Sequence, residues 1–518
     1  MGLAKSTGRQ TVAVNAKVLM FQGTGSDVGK STIVAGLCRL ATRRGLRVAP
    51  FKPQNMSNNA ASCTTGGEIG RAQALQARAA GLELDTDFNP VLLKPQSDRA
   101  AQVVVQGKVR HTVSAGDYMN SLRADLQSAV LESFTRLANS YDLILVEGAG
   151  SPAEINLRNH DIANMGFARA VNAPVCLIGD IDRGGVIAAI AGTQQVIDQD
   201  DARLIKSFII NRFRGDPDLF TDGMRAIESI TGWPCRGVVP WLDSALQLPQ
   251  EDAVVLEKDY DSRPKTEQPK LRMRIAVPML SRIANFDDMD PLKAEPNVAL
   301  EFIAPGKNIP PDVDAIIIPG TKSTIADLKF LRQQGWHHDI YAAARNGTKI
   351  LGLCGGYQIL GKQINDPERV EGDIASTDGL GLLDIQTSMQ AEKRTQETAA
   401  ICCRSNSKIQ GYEIHIGHST GADTSRPFME MTRSDSAARG STFDGAISPD
   451  GQIEGTYLHG LFNNDAFRAW WLESLKSGTS TDFNFNKHIE NQIDRLADGL
   501  DAALDINALL NDATNINP

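Results

Sequence analysis

Two short segments of the chain combine residue types that could carry chemistry. The first is VLMFQGTGSDVGKST, in which Gly23, Gly25 and Gly29 precede Lys30 and Ser31. Glycines let backbone N–H groups approach phosphate oxygens, a lysine here reaches the β- and γ-phosphates, and the next hydroxyl ligates Mg²⁺. Five residues separate Gly23 from Gly29, one more than in the common phosphate-binding loop. The segment predicts nucleotide binding; an ordinary glycine-rich turn is the alternative, and it leaves the lysine–serine pair unexplained.

The second segment is TKILGLCGGYQILG, in which Cys354 lies between an apolar run and a helical pattern. A sharp strand-to-helix turn exposes a nucleophile, and the helix N-terminus favours its thiolate form. Gly355 and Gly356 leave room for backbone N–H donors to meet an oxyanion. We therefore predict that Cys354 is a nucleophile. The six other cysteines lie in plainer settings and are interpreted as small apolar residues: Cys38, Cys63, Cys176, Cys235, Cys402 and Cys403.

A thiolate nucleophile needs a proton shuttle, usually a histidine that the fold brings close. Two of the 8 histidines are candidates. His459 in EGTYLHGLFNN follows a strand-like apolar segment and precedes a glycine, which suits an exposed position at a strand end. His415 in GYEIHIGHST is the alternative, and the resemblance described below decides between them.

Both segments require strands that end, and helices that begin, at one edge of a sheet. The first helix is predicted over residues 31–44, where apolar residues recur at helical spacing and Gly45 supplies the C-cap. Short, mostly apolar runs are typical of strands that helices cover on both faces. These runs are residues 17–21, 46–51, 143–146, 175–178, 208–210, 275–277, 315–318 and 350–353. The pattern predicts an α/β protein with mostly parallel sheets.

One stretch interrupts the series of predicted strands. The sequence EKDYDSRPKTEQPKLR loses its apolar period and contains two prolines, which is typical of a linker. After about residue 486, apolar residues at helical spacing predict one terminal helix. We predict two α/β domains in series, with these bounds: an N-terminal extension at 1–16, a phosphate-loop domain at 17–255, a linker at 256–272, a second domain at 273–470 and a helical tail at 471–518.

Length and composition agree with a large globular enzyme. The 518 residues are 42% apolar and 22% charged, values that disfavour disorder and small disulfide-rich scaffolds. The net charge of −9 argues against broad nucleic-acid binding, and apolar stretches are too short to span a membrane. The 7 irregularly spaced cysteines match neither a disulfide framework nor a zinc site. We expect a reducing, cytoplasmic location and partners other than nucleic acid or membrane.

The first segment resembles the loop of dethiobiotin synthetase and its relatives, which reads GTxxxVGKT; Thr24 stands in the threonine position. The resemblance implies that ATP and Mg²⁺ bind here and that a carboxylate is phosphorylated. Lys52 in FKPQN resembles a lysine that faces the γ-phosphate and the acyl acceptor. Glu147 in LVEGAGS resembles the acidic Mg²⁺ ligand, which joins Ser31, and Asn211 in IINRFRGD resembles the adenine-reading asparagine.

Each of these three residues has an ordinary structural interpretation as well. Lys52 could be a solvated strand end, Glu147 a helix-capping acid and Asn211 a turn former. However, all three follow predicted strands in order, and open α/β sheets bind ligands at the ends of their strands. Their positions therefore favour one common site.

The second segment resembles the class I glutamine amidotransferase domain, because Gly352, Cys354, Gly356 and Gln358 match GxCxGxQ and GTYLHG follows later. In that family the cysteine attacks the side-chain amide of glutamine and releases ammonia. The matching histidine is His459, which is therefore preferred over its alternative.

The same resemblance implies an oxyanion and glutamine site. Gly355, Gln358 and Gly320 of IIPGTKST would shape it. Most members carry a glutamate two residues after the histidine, but this chain has Leu461 there. We therefore assign no third catalytic residue from the sequence.

The two halves together resemble the cobyric acid synthase family, in which the synthetase domain precedes the glutaminase domain. The strings FKPQNMSNNA, NPVLLKPQSD, VEGAGSPAEINL, GDIDRGG and GYEIHIG carry this resemblance. It implies ATP- and glutamine-dependent amidation of the b, d, e and g carboxylates of adenosylcobyrinic acid a,c-diamide, a corrinoid of cobalamin biosynthesis, through acyl phosphates.

Three alternative functions remain at this stage. The nearest is the sister enzyme that amidates the a and c carboxylates of cobyrinic acid, although KPQNMSNN and the chain length favour the first choice. A partitioning-type ATPase uses the same loop as a nucleotide switch, but it does not explain Cys354 and His459. A non-enzymatic scaffold with an inactive glutaminase is the third alternative, because the triad glutamate is absent.

Overall fold

The computed structural model describes residues 16–63, 66–95, 100–114, 123–249, 273–390, 394–432, 442–479 and 481–515. The predicted linker at 256–272 and residues 1–15 of the predicted N-terminal extension lie outside this part of the chain. Within the described ranges, no helix has both the length and the apolar character needed to cross a membrane.

The first half of the chain alternates strands with helices, as its apolar pattern predicts. The strands are β1 (Lys17–Gly23), β2 (Val48–Phe51), β3 (Gln54–Met56), β4 (Ala60–Ser62), β5 (Glu68–Gly70), β6 (Val91–Pro95), β7 (Ala100–Val105), β8 (Lys108–Ser114), β9 (Leu143–Glu147), β10 (Val175–Asp180), β11 (Ile205–Phe213) and β12 (Cys235–Pro240). The helices are α1 (Lys30–Arg43), α2 (Arg71–Ala79), α3 (Arg123–Ser140), α4 (Met165–Val171), α5 (Val186–Val196), α6 (Gln199–Ala202), α7 (Thr221–Thr231) and α8 (Asp243–Leu246).

The main sheet of this half runs β12-β11-β10-β1-β9-β2, and every neighbouring pair in that order is parallel. Successive side chains of a strand point to opposite faces. Accordingly, Val18 and Met20 belong to one apolar cluster, whereas Leu19 and Phe21 belong to another. Both faces of the sheet are therefore covered, which explains why its strands are apolar throughout.

Between β2 and β9 the chain makes an excursion that the sequence did not predict. It forms a four-stranded sheet in the order β3-β6-β7-β8 and a two-stranded sheet of β4 and β5. The helix α2 follows β5 directly and returns the chain toward α1.

The second half contains a second parallel core. Its strands are β13 (Met273–Pro278), β14 (Val298–Ile303), β15 (Ala315–Ile318), β16 (Lys349–Leu353), β17 (Gln363–Asn365), β18 (Ser376–Asp378), β19 (Gln386–Ser388), β20 (Arg394–Cys402), β21 (Lys408–His415), β22 (His418–Thr420), β23 (Met429–Thr432), β24 (Thr442–Asp444), β25 (Ala446–Ile447), β26 (Ile453–Thr456) and β27 (Leu458–His459). Its helices are α9 (Asp290–Ala294), α10 (Thr324–Gln333), α11 (Trp336–Arg345), α12 (Gly355–Leu360) and α13 (Asp465–Leu475).

The core sheet of this half runs β14-β13-β15-β16-β26-β25, and only the β25–β26 pair is antiparallel. Two further sheets accompany it: β24-β23-β20-β21-β27 is antiparallel throughout, whereas β18-β17-β19-β22 is mixed, with one parallel pair. The structure thus has the predicted α/β class and two domains in series, with more antiparallel structure than the sequence predicted.

The C-terminal tail packs on the first domain. It contains α14 (Phe485–Ala503), α15 (Ile506–Asp512) and β28 (Thr514–Asn515). The apolar face of α14 shares a buried cluster with that of α1, and β28 pairs antiparallel with the start of β1. The prediction of one terminal helix is therefore incomplete, because periodicity detects a helix but not the strand and second helix that follow it.

Candidate active sites

The loop between β1 and α1 is held by backbone groups and the Lys30 ammonium. Lys30 Nζ donates to the carbonyl oxygens of Gly25, at 2.9 Å, and Gly150, at 3.1 Å. Gly29 has φ of 91°, and a Cβ there would overlap the side chain of Asn211. Only glycine meets both conditions, so the backbone of the loop can lie directly against the Asn211 side chain.

Asn211 fixes the other side of this loop. Its Nδ2 donates to the carbonyl oxygen of Val28 at 2.8 Å, while the Thr24 N–H donates to the carbonyl oxygen of Ile178 at 2.9 Å. A cavity of about 70 Å³ adjoins Asn211 and is also lined by Trp241. The predicted adenine-reading residue thus stands between the phosphate loop and a small, partly apolar cavity.

Glu147 lies at the centre of the first site. Its Oε1 accepts from Ser31 Oγ at 2.7 Å and Lys52 Nζ at 2.8 Å, and its Oε2 accepts from the Nε2 atoms of Gln76 at 2.6 Å and Gln73 at 3.3 Å. Burial raises the pKa of Glu147, but Lys52 and the hydrogen-bond donors outweigh burial and hold the pKa below its ordinary value. The carboxylate is therefore charged at neutral pH.

The sheet register explains this meeting. Phe21 pairs with Glu147, and Phe51 pairs with Val146, so the residues that follow β1, β2 and β9 converge at one edge. A cavity of about 650 Å³ opens there, and its lining includes Lys30, Ser31 and Lys52. The structure thus places together residues from three separate predicted segments.

The donor set suits a magnesium ion. Mg²⁺ prefers oxygen ligands and usually takes one or two carboxylates, with phosphates and water completing its shell. Ser31 Oγ and the Glu147 carboxylate supply two such oxygens 2.7 Å apart beside the phosphate loop. Among the residues that the structure describes, no three or more His, Cys, Asp or Glu side chains form a group that could hold a metal ion.

Gln73 and Gln76 were missed by sequence reasoning. They lie on α2 with a spacing of three residues, which places them on one helical face. That spacing in GRAQALQARAA was the available signal, but it does not reveal which carboxylate the amides would meet.

Cys354 lies in the predicted sharp strand-to-helix turn, but its side chain is buried and not exposed as the motif predicted. It separates β16 from α12 with φ of 52° and ψ of −111°, a conformation that a non-glycine residue rarely adopts. Its N–H donates to the carbonyl oxygen of Thr456 at 2.8 Å, and its Sγ lies 3.5 Å from that of Ile414. A Cβ on Gly356 would overlap the carbonyl oxygen of Ile318, so the turn requires glycine there.

His459 reaches the same place from β27. A Cβ on Gly320 would lie 3.3 Å from His459 Cε1 and 3.8 Å from Cys354 Cβ, so the three residues adjoin. The ring of Tyr412 stacks on His459 at 5.2 Å between centroids. His459 Nδ1 lies 2.7 Å from Asp288 Oδ2, and interaction with Cys354 makes a further, smaller contribution that raises the pKa of the ring.

Asp288 is the residue that the sequence did not reveal. It lies in a 3₁₀ turn, Phe286–Met289, and also accepts from the Gly460 N–H at 2.7 Å. Burial lowers the pKa of His459, but Asp288 outweighs burial and the pKa rises to about 10. The carboxylate thus comes from a point 171 residues before the histidine, instead of two residues after it.

The other residues that the sequence singled out in this domain are His415, Gln358 and Gly355, and each has its own contacts. His415 stacks on Tyr457 at 4.0 Å, and its Nε2 lies 3.4 Å from Glu413 Oε1. Gln358 is buried: its Oε1 accepts from Thr324 at 2.9 Å, and its Nε2 donates to the carbonyl oxygen of Ile416 at 2.9 Å. Gly355 adjoins Thr321, whose side chain a Cβ at that glycine would overlap.

The other cysteines lack comparable surroundings. All seven cysteines are free, and burial raises the pKa of Cys63 and Cys176 to about 12. A thiol with so high a pKa is protonated at neutral pH and is a poor nucleophile.

Comparison with known proteins divides the chain in the same way. Residues 19–255 match the family model described as CobQ/CobB/MinD/ParA nucleotide binding domain. Residues 274–467 match the one described as CobB/CobQ-like glutamine amidotransferase domain. The first domain is therefore a nucleotide-binding domain, and the second is a glutamine amidotransferase domain.

Full-length relatives have both domains. The cobyric acid synthase of Hyphomonas neptunium is 59% identical over 95% of this chain and 97% of its own length. Those of Paracoccus denitrificans and Brucella anthropi are 56% and 53% identical over 95% and 96% of this chain, and 98% and 99% of theirs. With this identity over nearly its whole length, the chain belongs to the cobyric acid synthase family.

Proposed function

We propose that this chain amidates the b, d, e and g carboxylates of adenosylcobyrinic acid a,c-diamide, using ATP and ammonia from glutamine. The family membership supports the reaction, and the observation that carries it is the presence of two groups of candidate catalytic residues on one chain. One joins Lys30, Ser31, Lys52 and Glu147 around a large cavity. The other joins Cys354 to His459. The reaction belongs to cobalamin biosynthesis, and we expect it in the cytoplasm.

In the first domain, a substrate carboxylate attacks the γ-phosphorus of ATP and expels ADP, forming an acyl phosphate. Lys30 and Lys52 offset the negative charge that gathers on the transferred phosphoryl group. Ser31 and Glu147 would hold Mg²⁺, which neutralises phosphate charge when bound. Ammonia then attacks the acyl carbon and expels inorganic phosphate, so each amide consumes one ATP.

In the second domain, the Cys354 thiolate attacks the side-chain amide carbon of glutamine. N–H donors near Gly355 and Gly320 receive the oxyanion, and protonated His459 gives its proton to the departing ammonia. Water then attacks the thioester, with His459 taking its proton, and glutamate leaves. Asp288 accepts the hydrogen bond from Nδ1, so it orients the ring and favours its protonated form.

Product analysis tests the substrate assignment. Purified chain with ATP, Mg²⁺ and glutamine should add four amides to adenosylcobyrinic acid a,c-diamide, detected as four successive mass changes. A parallel reaction should leave cobyrinic acid unamidated. Amidation of cobyrinic acid alone would overturn the proposal in favour of the sister enzyme, and ATP hydrolysis without any amidated product would favour a nucleotide switch.

A further inference from the structure

The helix α2 of the nucleotide-binding domain begins with a residue that contacts the other domain. Arg71 forms an ion pair with the carboxylate of Asp287, and the two side chains are 19% and 3% exposed. A buried carboxylate is costly unless a cation or hydrogen bonds compensate it. Arg71 therefore supplies charge compensation to the second domain from a different domain.

The position of Asp287 makes this pair relevant to the glutaminase. Asp287 immediately precedes Asp288, the carboxylate that contacts His459. Asp290 lies close by and is partly exposed; desolvation and the charge of Asp287 raise its pKa to about 7. Burial, with the charge of Asp288, keeps the pKa of Asp287 above its ordinary value, although Arg71 and His459 lower it. Without Arg71, two adjacent buried carboxylates would compete for the single charge on His459.

The other contacts of α2 fix where Arg71 can lie. Gln73 and Gln76, on the same helix, donate to Glu147 at the first site. Asn55 Nδ2 donates to Gln73 Oε1 at 3.0 Å, and the Gly70 N–H, just before the helix, donates to Asn89 Oδ1 at 3.0 Å. The start of α2 is thus held by the phosphate site on one side and meets the turn that carries Asp288 on the other.

We propose that Arg71 is a positioning residue for glutamine hydrolysis, contributed by the nucleotide-binding domain, and that it acts on His459 through Asp287 and Asp288. This inference rests on the proposed function, because it assumes that Cys354 and His459 hydrolyse glutamine. It makes the glutaminase site incomplete without the first domain. Arg71 pairs with Asp287 in the Phe286–Met289 turn and does not contact Cys354 or His459 through a hydrogen bond or ion pair given by the structure.

Substitution of the ion pair in the full-length chain tests this proposal. Arg71→Met should lower kcat for glutamine hydrolysis on the order of tenfold, a size typical of coupling between sites, while KM for glutamine changes little. Ammonia-dependent synthesis should persist, since Arg71 is not among the donors to the Glu147 carboxylate or the residues that line the first cavity. Arg71→Lys should recover part of the loss, because it restores the charge but not the guanidinium geometry.

A double substitution separates positioning from simple damage. Asp287→Asn should partly restore hydrolysis in the Arg71→Met background, because it removes the carboxylate that Arg71 had neutralised. Arg78→Met is the matched control: Arg78 lies on the same helix but pairs with the half-exposed Glu490 of α14 at 2.8 Å. It should leave glutamine hydrolysis unchanged.

Three results would overturn the inference: unchanged hydrolysis in Arg71→Met, equal loss in Arg78→Met, or no recovery in the double variant. If Arg71→Met fails to fold, Arg71→Lys and the double variant carry the same test. Absence of glutamine hydrolysis in the unsubstituted chain would instead refute the proposed function itself, so the two failures are distinguishable.

Discussion

The proposed glutaminase site comprises three side chains from three separate elements. Cys354 follows β16, His459 ends β27 and Asp288 lies in a turn before α9. The first two were predicted because each sits in a recognisable local motif. Asp288 was not, because FDDMD is an ordinary acidic run until the fold brings it 2.7 Å from the histidine.

Cys354→Ser should separate the two activities. We expect glutamine-dependent synthesis to fall by roughly a thousandfold or more, since the thiolate is lost, while synthesis from ammonium salts persists. Lys30→Met is the complementary variant and should abolish synthesis from either nitrogen source. Steady-state assays with both nitrogen sources check this; loss of ammonium-dependent synthesis in a folded Cys354→Ser protein would contradict the division of labour.

Asp288→Asn should change how stability depends on pH. The fold raises the pKa of His459 from 6.5 to about 10, so protonation of His459 stabilises the protein fully below pH 6.5. That contribution fades as pH rises toward 10. Urea unfolding should therefore show the largest stability difference between the two proteins near pH 6 and the smallest near pH 10. Asp222→Asn, at an exposed acid, is the control, and a pH-independent difference would contradict the expectation.

At the scale of elements, the turns after β1 and β16 position the candidate catalytic side chains, and these turns require glycine where a Cβ would not fit. Gly29 and Gly356 both stand where a Cβ would overlap a neighbouring group. The predicted strands of the two parallel cores all appear, because buried parallel strands need continuous apolar runs. The mixed sheets between β2 and β9 were not predicted, because several of their strands are short and their pairing depends on tertiary contacts.

Gly356→Ala tests the nucleophile turn. The added Cβ would overlap the carbonyl oxygen of Ile318, so we expect the free energy of unfolding to fall by about 1–3 kcal/mol. Glutamine hydrolysis should also fall because Cys354 would move. The control is Gly192→Ala on α5, where nothing lies within 4 Å of the added atom. Equal stability of the two variants would refute the packing argument.

At the scale of the whole molecule, the C-terminal tail packs against the first helix and the first strand of the chain. The apolar side of α14 covers α1, the helix that follows the phosphate loop, and Gly36 lets them approach because a Cβ there would overlap Leu500. Arg43 on α1 adds ion pairs of 2.8 Å and 2.6 Å to Asp494 and Asp498. Because these pairs are half-exposed, the apolar contact dominates.

Ile493→Ala should reveal this contribution. Ile493 is fully buried on α14, so its truncation should cost about 2–5 kcal/mol of unfolding free energy. ATP-dependent activity should lose heat resistance, although no predicted site residue is touched. Leu219→Ala, at a side chain that is 81% exposed, should change little. Unaltered thermal inactivation of the Ile493→Ala protein would show that the tail does not support the first domain.

The sequence by itself determined the α/β class, the two-domain order and the motif residues, because a phosphate loop and a nucleophile turn are built from neighbours in the chain. Lys30, Ser31 and Cys354 are such residues. Tertiary structure alone decided that Gln73 and Gln76 meet Glu147, that Asp288 contacts His459 and that Arg71 pairs with Asp287 of the other domain. These pairs depend on packing between segments that are distant in the sequence. Such contacts have no fixed spacing along the chain, so no sequence pattern reveals them.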